Sequence, residues 1–265
     1  LTTRPARISI LMYHQVGRFA QMRAHRANYC DAGRFARQMV LLARGGFSVI
    51  DIDTALRCLR GSQPTPARAV VLTFDDGYRN FMEHALPVLR RHDFPAVVYA
   101  ISGRLGTRMR WHDPDPSRDE PPLMTATELR AIAAEGITIG SHGVSHAKLA
   151  ECGPEQQRRE LADSRSALSD LLGSEVRHLC YPFGSFAAET VQAAAEAGYQ
   201  SATTCLRGAA TDQDHPLVLP RKAISFGDNL IGFWWKLAVK HAPKPALVRW
   251  RQELGGDLAP PGSHG

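Results

Sequence analysis

Asp75 and Asp76 stand side by side in Thr73-Phe74-Asp75-Asp76-Gly77. The apolar run before them, 69–74, is short and rich in β-branched residues, and Asp-Asp-Gly stops it. It reads as a buried strand emptying into a turn. Side chains alternate across a strand, so the two aspartates cannot both serve the core. Paired carboxylates repel, and each needs a cation or hydrogen-bond donors to stay charged when partly buried. A metal ion that holds one and leaves the other as a base resolves this conflict. A solvated turn resolves it as well.

The segment Ser141-His142-Gly143-Val144-Ser145-His146 weighs against the solvated turn. It too follows a strand-like run, at 137–140. Histidines four apart share a face if the segment turns helically, a spacing that suits one divalent ion. Imidazole with carboxylate favours zinc, with cobalt, nickel or iron as neighbouring choices, and leaves positions open to water. Leu179-Cys180-Tyr181-Pro182-Phe183-Gly184 reads as a further strand end, closed by Pro and Gly. An early strand, Ile8 onward, ends on Tyr13-His14. Each candidate polar residue thus follows the carboxyl end of an expected strand.

Residues 73–77, the His142/His146 pair and Tyr181-Pro182-Phe183-Gly184, in that order, resemble the polysaccharide deacetylase family, also called carbohydrate esterase family four or the NodB-homology domain. The resemblance covers about residues 8–225. Tyr13-His14 before the aspartates resembles the branch that deacetylates poly-β-1,6-N-acetylglucosamine, in which the barrel is circularly permuted. The resemblance implies a metal held by Asp76, His142 and His146, with Asp75 as catalytic base. It makes His14 the acid and Tyr181, Pro182 and Phe183 a substrate wall, with the Phe183 N–H facing the oxyanion. Two positions depart from the family: Gly143 stands where Ser or Thr is usual, and Cys180 where an arginine often orients the base. Arg221, in Leu219-Pro220-Arg221, is the expected replacement, set against the alternative of a surface arginine. The implied reaction is metal-dependent removal of acetyl groups from an N-acetylglucosamine polymer or oligomer. A deformylase or deacetylase of a lipid-linked amino sugar, a carbohydrate-binding pseudoenzyme and an O-acetyl esterase remain as alternatives.

The elements that must position these residues follow from periodicity. Strands are expected near 7–13, 47–50, 69–74, 95–101, 137–141, 177–181, 200–204 and 217–222. Phe35, Met39 and Leu42 mark a helix that Gly45-Gly46 stops, and Pro154 opens one that ends near Gly173. Thr127 is expected to precede another, through Gly136. Strands alternating with helices argue for an α/β fold with a parallel sheet, and this many units for a distorted (β/α)7-8 barrel. An open doubly wound sheet is the runner-up. Barrel enzymes place their chemistry at the carboxyl ends of the strands, where these motifs fall. The proline-rich stretch 104–124 reads as a long loop on that side, with Trp111 and His112 either a sugar-stacking platform or merely exposed rings in a mobile loop.

The 265 residues are 44% hydrophobic, enough for a full core. The catalytic barrel is placed at 1–228, an aromatic and basic helical segment at 229–253 and a disordered tail at 254–265. In 230–252, Phe233, Trp234 and Trp235 mix with lysines and arginines. A helix covering the barrel is preferred there over peripheral membrane contact. A net charge of +6 favours anionic surroundings, but no basic run with interleaved aromatics lies near the site, and nucleic-acid binding is not expected. Five cysteines without Cys-x-x-Cys give neither a zinc ribbon nor a disulfide framework. Cys180 reads as a small buried hydrophobe. The resemblance implies the bacterial cell envelope, the periplasm or an extracellular location, with a cytoplasmic or membrane-associated one as the alternative. No leader or transmembrane run is visible, and because the chain begins at Leu1 rather than Met, a leader or anchor is left open.

Overall fold

A computed structural model describes residues 6–19, 25–110 and 120–254. Trp111, His112 and residues 255–265 of the expected tail lie outside the described residues, while Leu254, also placed in that tail, is the last residue of a helix. The strands are β1 (Arg7–Tyr13), β2 (Gln15–Gly17), β3 (Tyr29–Asp31), β4 (Ser48–Val49), β5 (Ala69–Phe74), β6 (Val97–Ala100), β7 (Thr138–Ser141), β8 (His178–Cys180), β9 (Ser201–Arg207), β10 (Ala210–Thr211) and β11 (Leu219–Ala223). The helices are α1 (Ala32–Arg44), α2 (Ile52–Leu59), α3 (Leu86–His92), α4 (Ala126–Ala134), α5 (Pro154–Leu172), α6 (Ala188–Glu196), α7 (Leu230–Ala238) and α8 (Pro245–Leu254).

Seven strands close on themselves in the order β1-β11-β9-β8-β7-β6-β5, and β5 returns to β1. Every pairing around that circuit is parallel. The closing β1–β5 pair, with Tyr13 opposite Phe74, excludes the open doubly wound sheet. β4 extends the sheet beside the start of β5, and β10 lies antiparallel against the start of β1.

Strand alternation sorts the side chains into two apolar layers. Ile8, Ile10, Val71, Val97, Tyr99, Cys180 and Leu219 fill the barrel. Leu11, Tyr13, Leu72, Phe74, Val98, Ile139 and Leu179 point outward into the layer beneath the helices. The lumen is narrow: a Cβ at Gly140 would lie 2.5 Å from the Tyr99 ring. The same alternation carries past the strand ends, so Asp75, two residues beyond Thr73, faces the lumen.

Helix ends follow local chemistry. α1 is capped by Asp31, which accepts from the Arg34 N–H at 2.9 Å. α5 opens on Pro154 and stops at Gly173, whose φ is +64°. The start of α4 corrects the expectation placed at Thr127: the cap is Thr125, whose Oγ1 accepts the Glu128 N–H at 3.2 Å. The Glu128 carboxylate in turn accepts the Thr125 N–H at 2.9 Å. That reciprocal pair satisfies two free amides at once, which Thr127 inside the first turn cannot do. In the C-terminal region, α7 buries Phe233 and Leu237, and Trp250 of α8 lies 4.7 Å from the Phe186 ring. No helix among the described residues is long and apolar enough to cross a membrane.

Candidate active site

β5 delivers the two aspartates to the carboxyl mouth of the barrel. The Asp75 N–H donates to the Tyr13 carbonyl at 2.9 Å, which extends the β1–β5 ladder by one step and sets His14 beside Asp75. The chain then enters the left-handed region at Asp76 (φ +71°) and Gly77 (φ +70°). This turn gives the neighbouring carboxylates different directions. Both are buried.

Asp75 meets Arg221. Pro220 interrupts the β11–β9 register between Leu219 and Arg221, as a strand proline without an N–H does. Arg221 then points into the lumen, fully buried. Its Nη1 donates to Asp75 Oδ1 at 2.6 Å and its Nη2 to Asp75 Oδ2 at 2.8 Å. Nε donates to the Thr204 carbonyl at 2.9 Å, Nη1 also to Thr73 Oγ1 at 3.1 Å, and Nη2 also to Cys180 Sγ at 3.0 Å. All five guanidinium N–H groups are used. A surface arginine is therefore excluded. Burial alone would raise the Asp75 pKa, but the Arg221 charge, then that of His14, holds it below the ordinary carboxylate value. Cys180 is buried as expected, yet it contacts Arg221 and lies 3.6 Å from Asp75 Oδ2, so it is a polar contact of this cluster as well as packing.

Asp76 meets the histidines. Its Oδ1 lies 3.2 Å from His142 Nε2 and 3.3 Å from His146 Nε2. Their spacing does not come from a helix, as the four-residue separation suggested. The segment leaves β7 at Ser141, bends at Gly143 (φ +76°) and brings His146 back in a left-handed conformation (φ +69°). A carboxylate on α5 holds this loop. Glu160 Oε2 accepts the Val144 N–H at 2.8 Å and the Ser145 N–H at 3.0 Å, and Oε1 accepts the Ser145 hydroxyl at 2.5 Å. A Cβ on Gly143 would sit 3.0 Å from Glu160 Oε2, on a backbone that disfavours side chains. The Gly143 departure and Glu160 thus belong together. Sequence reasoning missed Glu160, although Gln157, Glu160, Leu161, Ser164 and Leu168 form one buried stripe of α5 in which a carboxylate is out of place.

The donor set fits a divalent cation. The ring of His142 contacts the Cys180 carbonyl through Nδ1 at 2.7 Å; a carbonyl only accepts, so Nδ1 carries the proton and Nε2 turns its lone pair to Asp76. Asp76 Oδ1 is buried and makes no hydrogen bond. Two lone pairs facing each other at such a distance repel unless a positive charge lies between them. Burial would lower the His142 pKa, yet Cys180 and Asp76 raise it well above the usual histidine value, so positive charge is favoured at this point, whether as a ring proton or as a metal ion. His146 stays below its ordinary value, chiefly through burial. For Asp76, burial is outweighed by contacts from His142 and His146, and its pKa falls well below the carboxylate range. Asp75, His142 and Cys180 form an overlapping group. It fits less well, because Arg221 already occupies both Asp75 oxygens and Cys180 Sγ.

His14 Nε2 lies 3.8 Å from Asp75 Oδ2. On the opposite side, Phe183 adopts φ +59° and its exposed ring lies 4.4 Å from the His146 ring. Pro182 is buried beneath this loop. The Tyr181 side chain corrects its expected place in the substrate wall. Cys180 faces the lumen, so Tyr181 must face outward; its hydroxyl donates to the Leu217 carbonyl at 3.0 Å and its ring stacks on Phe186. Asp76, His146 and Phe183 are three of the six non-glycine residues with positive φ among the described residues, so backbone strain concentrates here.

A family model described as polysaccharide deacetylase matches residues 62–202, which carry both aspartates, both histidines and the Tyr181–Phe183 turn. The chain belongs to the polysaccharide deacetylase family. It is 28% identical over 226 residues to a Bacillus subtilis protein named as a polysaccharide deacetylase, YxkH, covering 85% of this chain and 74% of that one. It is 40% identical over 70 residues to the poly-β-1,6-N-acetyl-D-glucosamine N-deacetylase of Escherichia coli K12, covering 26% of this chain and 10% of that protein. The solved structure of the Streptococcus pyogenes deacetylase PplD in complex with acetate superposes with a TM-score of 0.77 at 24% identity, covering 88% of this chain and 99% of that one, which shows a shared fold.

Proposed function

We propose that this deacetylase-family chain hydrolyses the acetamido groups of an N-acetylglucosamine polymer or oligomer, with a divalent ion held by Asp76, His142 and His146. One observation carries the reading: Asp76 Oδ1 converges with two histidine Nε2 atoms beside a second carboxylate that Arg221 grips with both nitrogens. The donor set of two imidazoles and a carboxylate favours zinc. When bound, the ion supplies polarisation of the amide carbonyl and a lowered pKa for nearby water.

The chain's own groups supply the remaining chemistry. Asp75, ionised beside Arg221, accepts the proton of the attacking water. The Phe183 N–H, turned by the left-handed loop, donates to the carbonyl oxygen as that atom gains charge. His14, across from the metal ligands, protonates the nitrogen as the C–N bond breaks, since an amide anion is too poor a leaving group. One water is consumed; acetate and a free amine leave. The named activity of the Escherichia coli relative supports β-1,6-linked N-acetylglucosamine as the first substrate to try.

The test is acetate release from poly-β-1,6-N-acetylglucosamine and from chitin oligomers by the zinc-loaded protein, with Asp75→Asn alongside. Release that disappears in Asp75→Asn while zinc stays bound supports the reading and ranks the two linkages. Bound zinc with no release from either substrate sinks it.

A further inference from the structure

α7 is apolar on both sides. Phe233 and Leu237 pack inward, where α7 meets α1, while Ile231, Trp234 and Trp235 form an outward stripe at i, i+3 and i+4 that Ala238 extends. Ile231 is 77% exposed, Trp234 44% and Trp235 48%. A helix apolar all round is ordinarily covered all round, and a contiguous exposed apolar ridge marks an interaction surface. Lys236 is the one charged residue of α7; it turns back to Asp228 and the Ala223 carbonyl.

Cations flank both ends of the ridge. At the N-terminal end a cavity of about 300 Å³ is lined by Arg34, Arg37 and Gln38 of α1 together with Leu230 and Ile231. At the other end a cavity of about 370 Å³ is lined by Arg7, Arg68 and His241 together with Leu237 and Ala238. None of these four arginines pairs with a carboxylate among the described residues. Asp228, the one acid lining either cavity, is taken up by Lys236 and the Ser225 N–H. The nine residues of α7 span about 14 Å, so an apolar ridge is bracketed by a basic cavity at each end.

We propose that this edge of α7 lies on an anionic lipid surface, with Ile231, Trp234 and Trp235 at the headgroup–acyl boundary and Arg7, Arg34, Arg37 and Arg68 against phosphates. Charge complementarity selects this occupant. A second copy of a chain of net charge +6 would bring basic cavities against basic cavities, whereas an anionic bilayer neutralises them. Tryptophans beside cations are the composition of an interfacial anchor. α7 descends the barrel wall from the loop that follows β11, so its first turn lies beside the mouth that holds Asp75 and Arg221. Docking there would hold the active-site rim next to the membrane.

The experiment is co-sedimentation with vesicles of phosphatidylcholine alone and of phosphatidylcholine with phosphatidylglycerol, read alongside tryptophan emission. The wild-type chain should sediment with the anionic vesicles, shift its emission to the blue and release in high salt. Ile231→Ser/Trp234→Ser/Trp235→Ser should lower vesicle affinity by roughly tenfold or more, with its melting temperature unchanged. If that variant fails to fold, Arg7→Ala/Arg37→Ala carries the test: its affinity and its salt dependence should both fall. No sedimentation of the wild type with anionic vesicles overturns the proposal. So does a stable dimer that the triple substitution dissolves, or chitin binding that it abolishes, because each puts another occupant on the ridge.

Discussion

Each side chain at this site has one task, set by the direction the backbone gives it. The adjacent aspartates differ only in that Asp75 continues the strand and Asp76 enters the left-handed region. That step gives one carboxylate to Arg221 and the other to two histidines. The positions of Asp75, Asp76, His142 and His14 just past apolar runs are readable in the sequence, whereas Arg221 inside β11 is picked out only through the family resemblance. Which carboxylate faces which partner comes from the family resemblance and not from the residues' pattern, since it depends on a φ of +71° that a non-glycine residue seldom adopts. Arg221→Met tests the division. It removes the charge that offsets burial at Asp75, so the carboxyl pKa should rise and the acid limb of the pH–rate profile should move to higher pH. Turnover at pH 7 should fall about 100-fold. Zinc stoichiometry by mass spectrometry should be unchanged, because no metal-facing atom touches Arg221. Unchanged turnover would remove Arg221 from the proposed mechanism.

At the scale of elements, strands were more legible than the loops they feed. The eight expected strands all form, because short runs of β-branched and apolar residues are distinct from the intervening helical periods. β2, β3 and β10 have only two or three residues each and carry no period of their own. α2, with eight residues, is too short for its pattern to stand out. The histidine loop is not helical, because its geometry is set from outside, by Glu160 on α5. Glu160→Ala should therefore loosen His146 relative to Asp76. Zinc affinity, measured by chelator competition, should fall by about 10- to 100-fold. Turnover at saturating zinc should fall less, since Asp75 and His14 lie on other elements. Glu160→Gln keeps an acceptor for the Val144 and Ser145 amides and should recover part of the affinity. Equal affinity in all three proteins would mean that α5 does not position the loop.

At the scale of the molecule, closure was inferred from the number of βα units, and the structure supplies the β1–β5 pairing that accomplishes it. What no sequence period reveals is the cost of the outward neighbour of Arg221. Alternation turns Lys222 away from the lumen and beneath α7, where its ammonium donates to Ser9 Oγ at 2.9 Å, to the Lys236 carbonyl at 2.7 Å and to His241 Nδ1 at 3.2 Å. These acceptors are all neutral. Burial first, and the Arg7 charge second, pull the Lys222 pKa down to about 7 from an unfolded 10.5. His241 is itself lowered, chiefly by burial and then by Lys222, so the pair does not carry two charges at neutral pH. Below about pH 7 Lys222 is protonated in both the folded and the unfolded chain, and folding bears the whole burial cost. Between about 7 and 10.5 the unfolded chain keeps a proton that the folded chain has released, so stability must rise with pH by at most about 1.4 kcal/mol per unit. Lys222→Met removes that proton from both states. Urea unfolding of the two proteins at pH 6.5 and pH 9.5 should show the difference between them shrinking or reversing against the variant as pH rises. The slope is the informative quantity, because the variant also leaves the Lys236 carbonyl at the end of α7 without a donor, at a cost common to both pH values. Parallel pH profiles would show that Lys222 keeps its proton beneath α7 and that the barrel wall tolerates a buried ammonium held only by neutral acceptors.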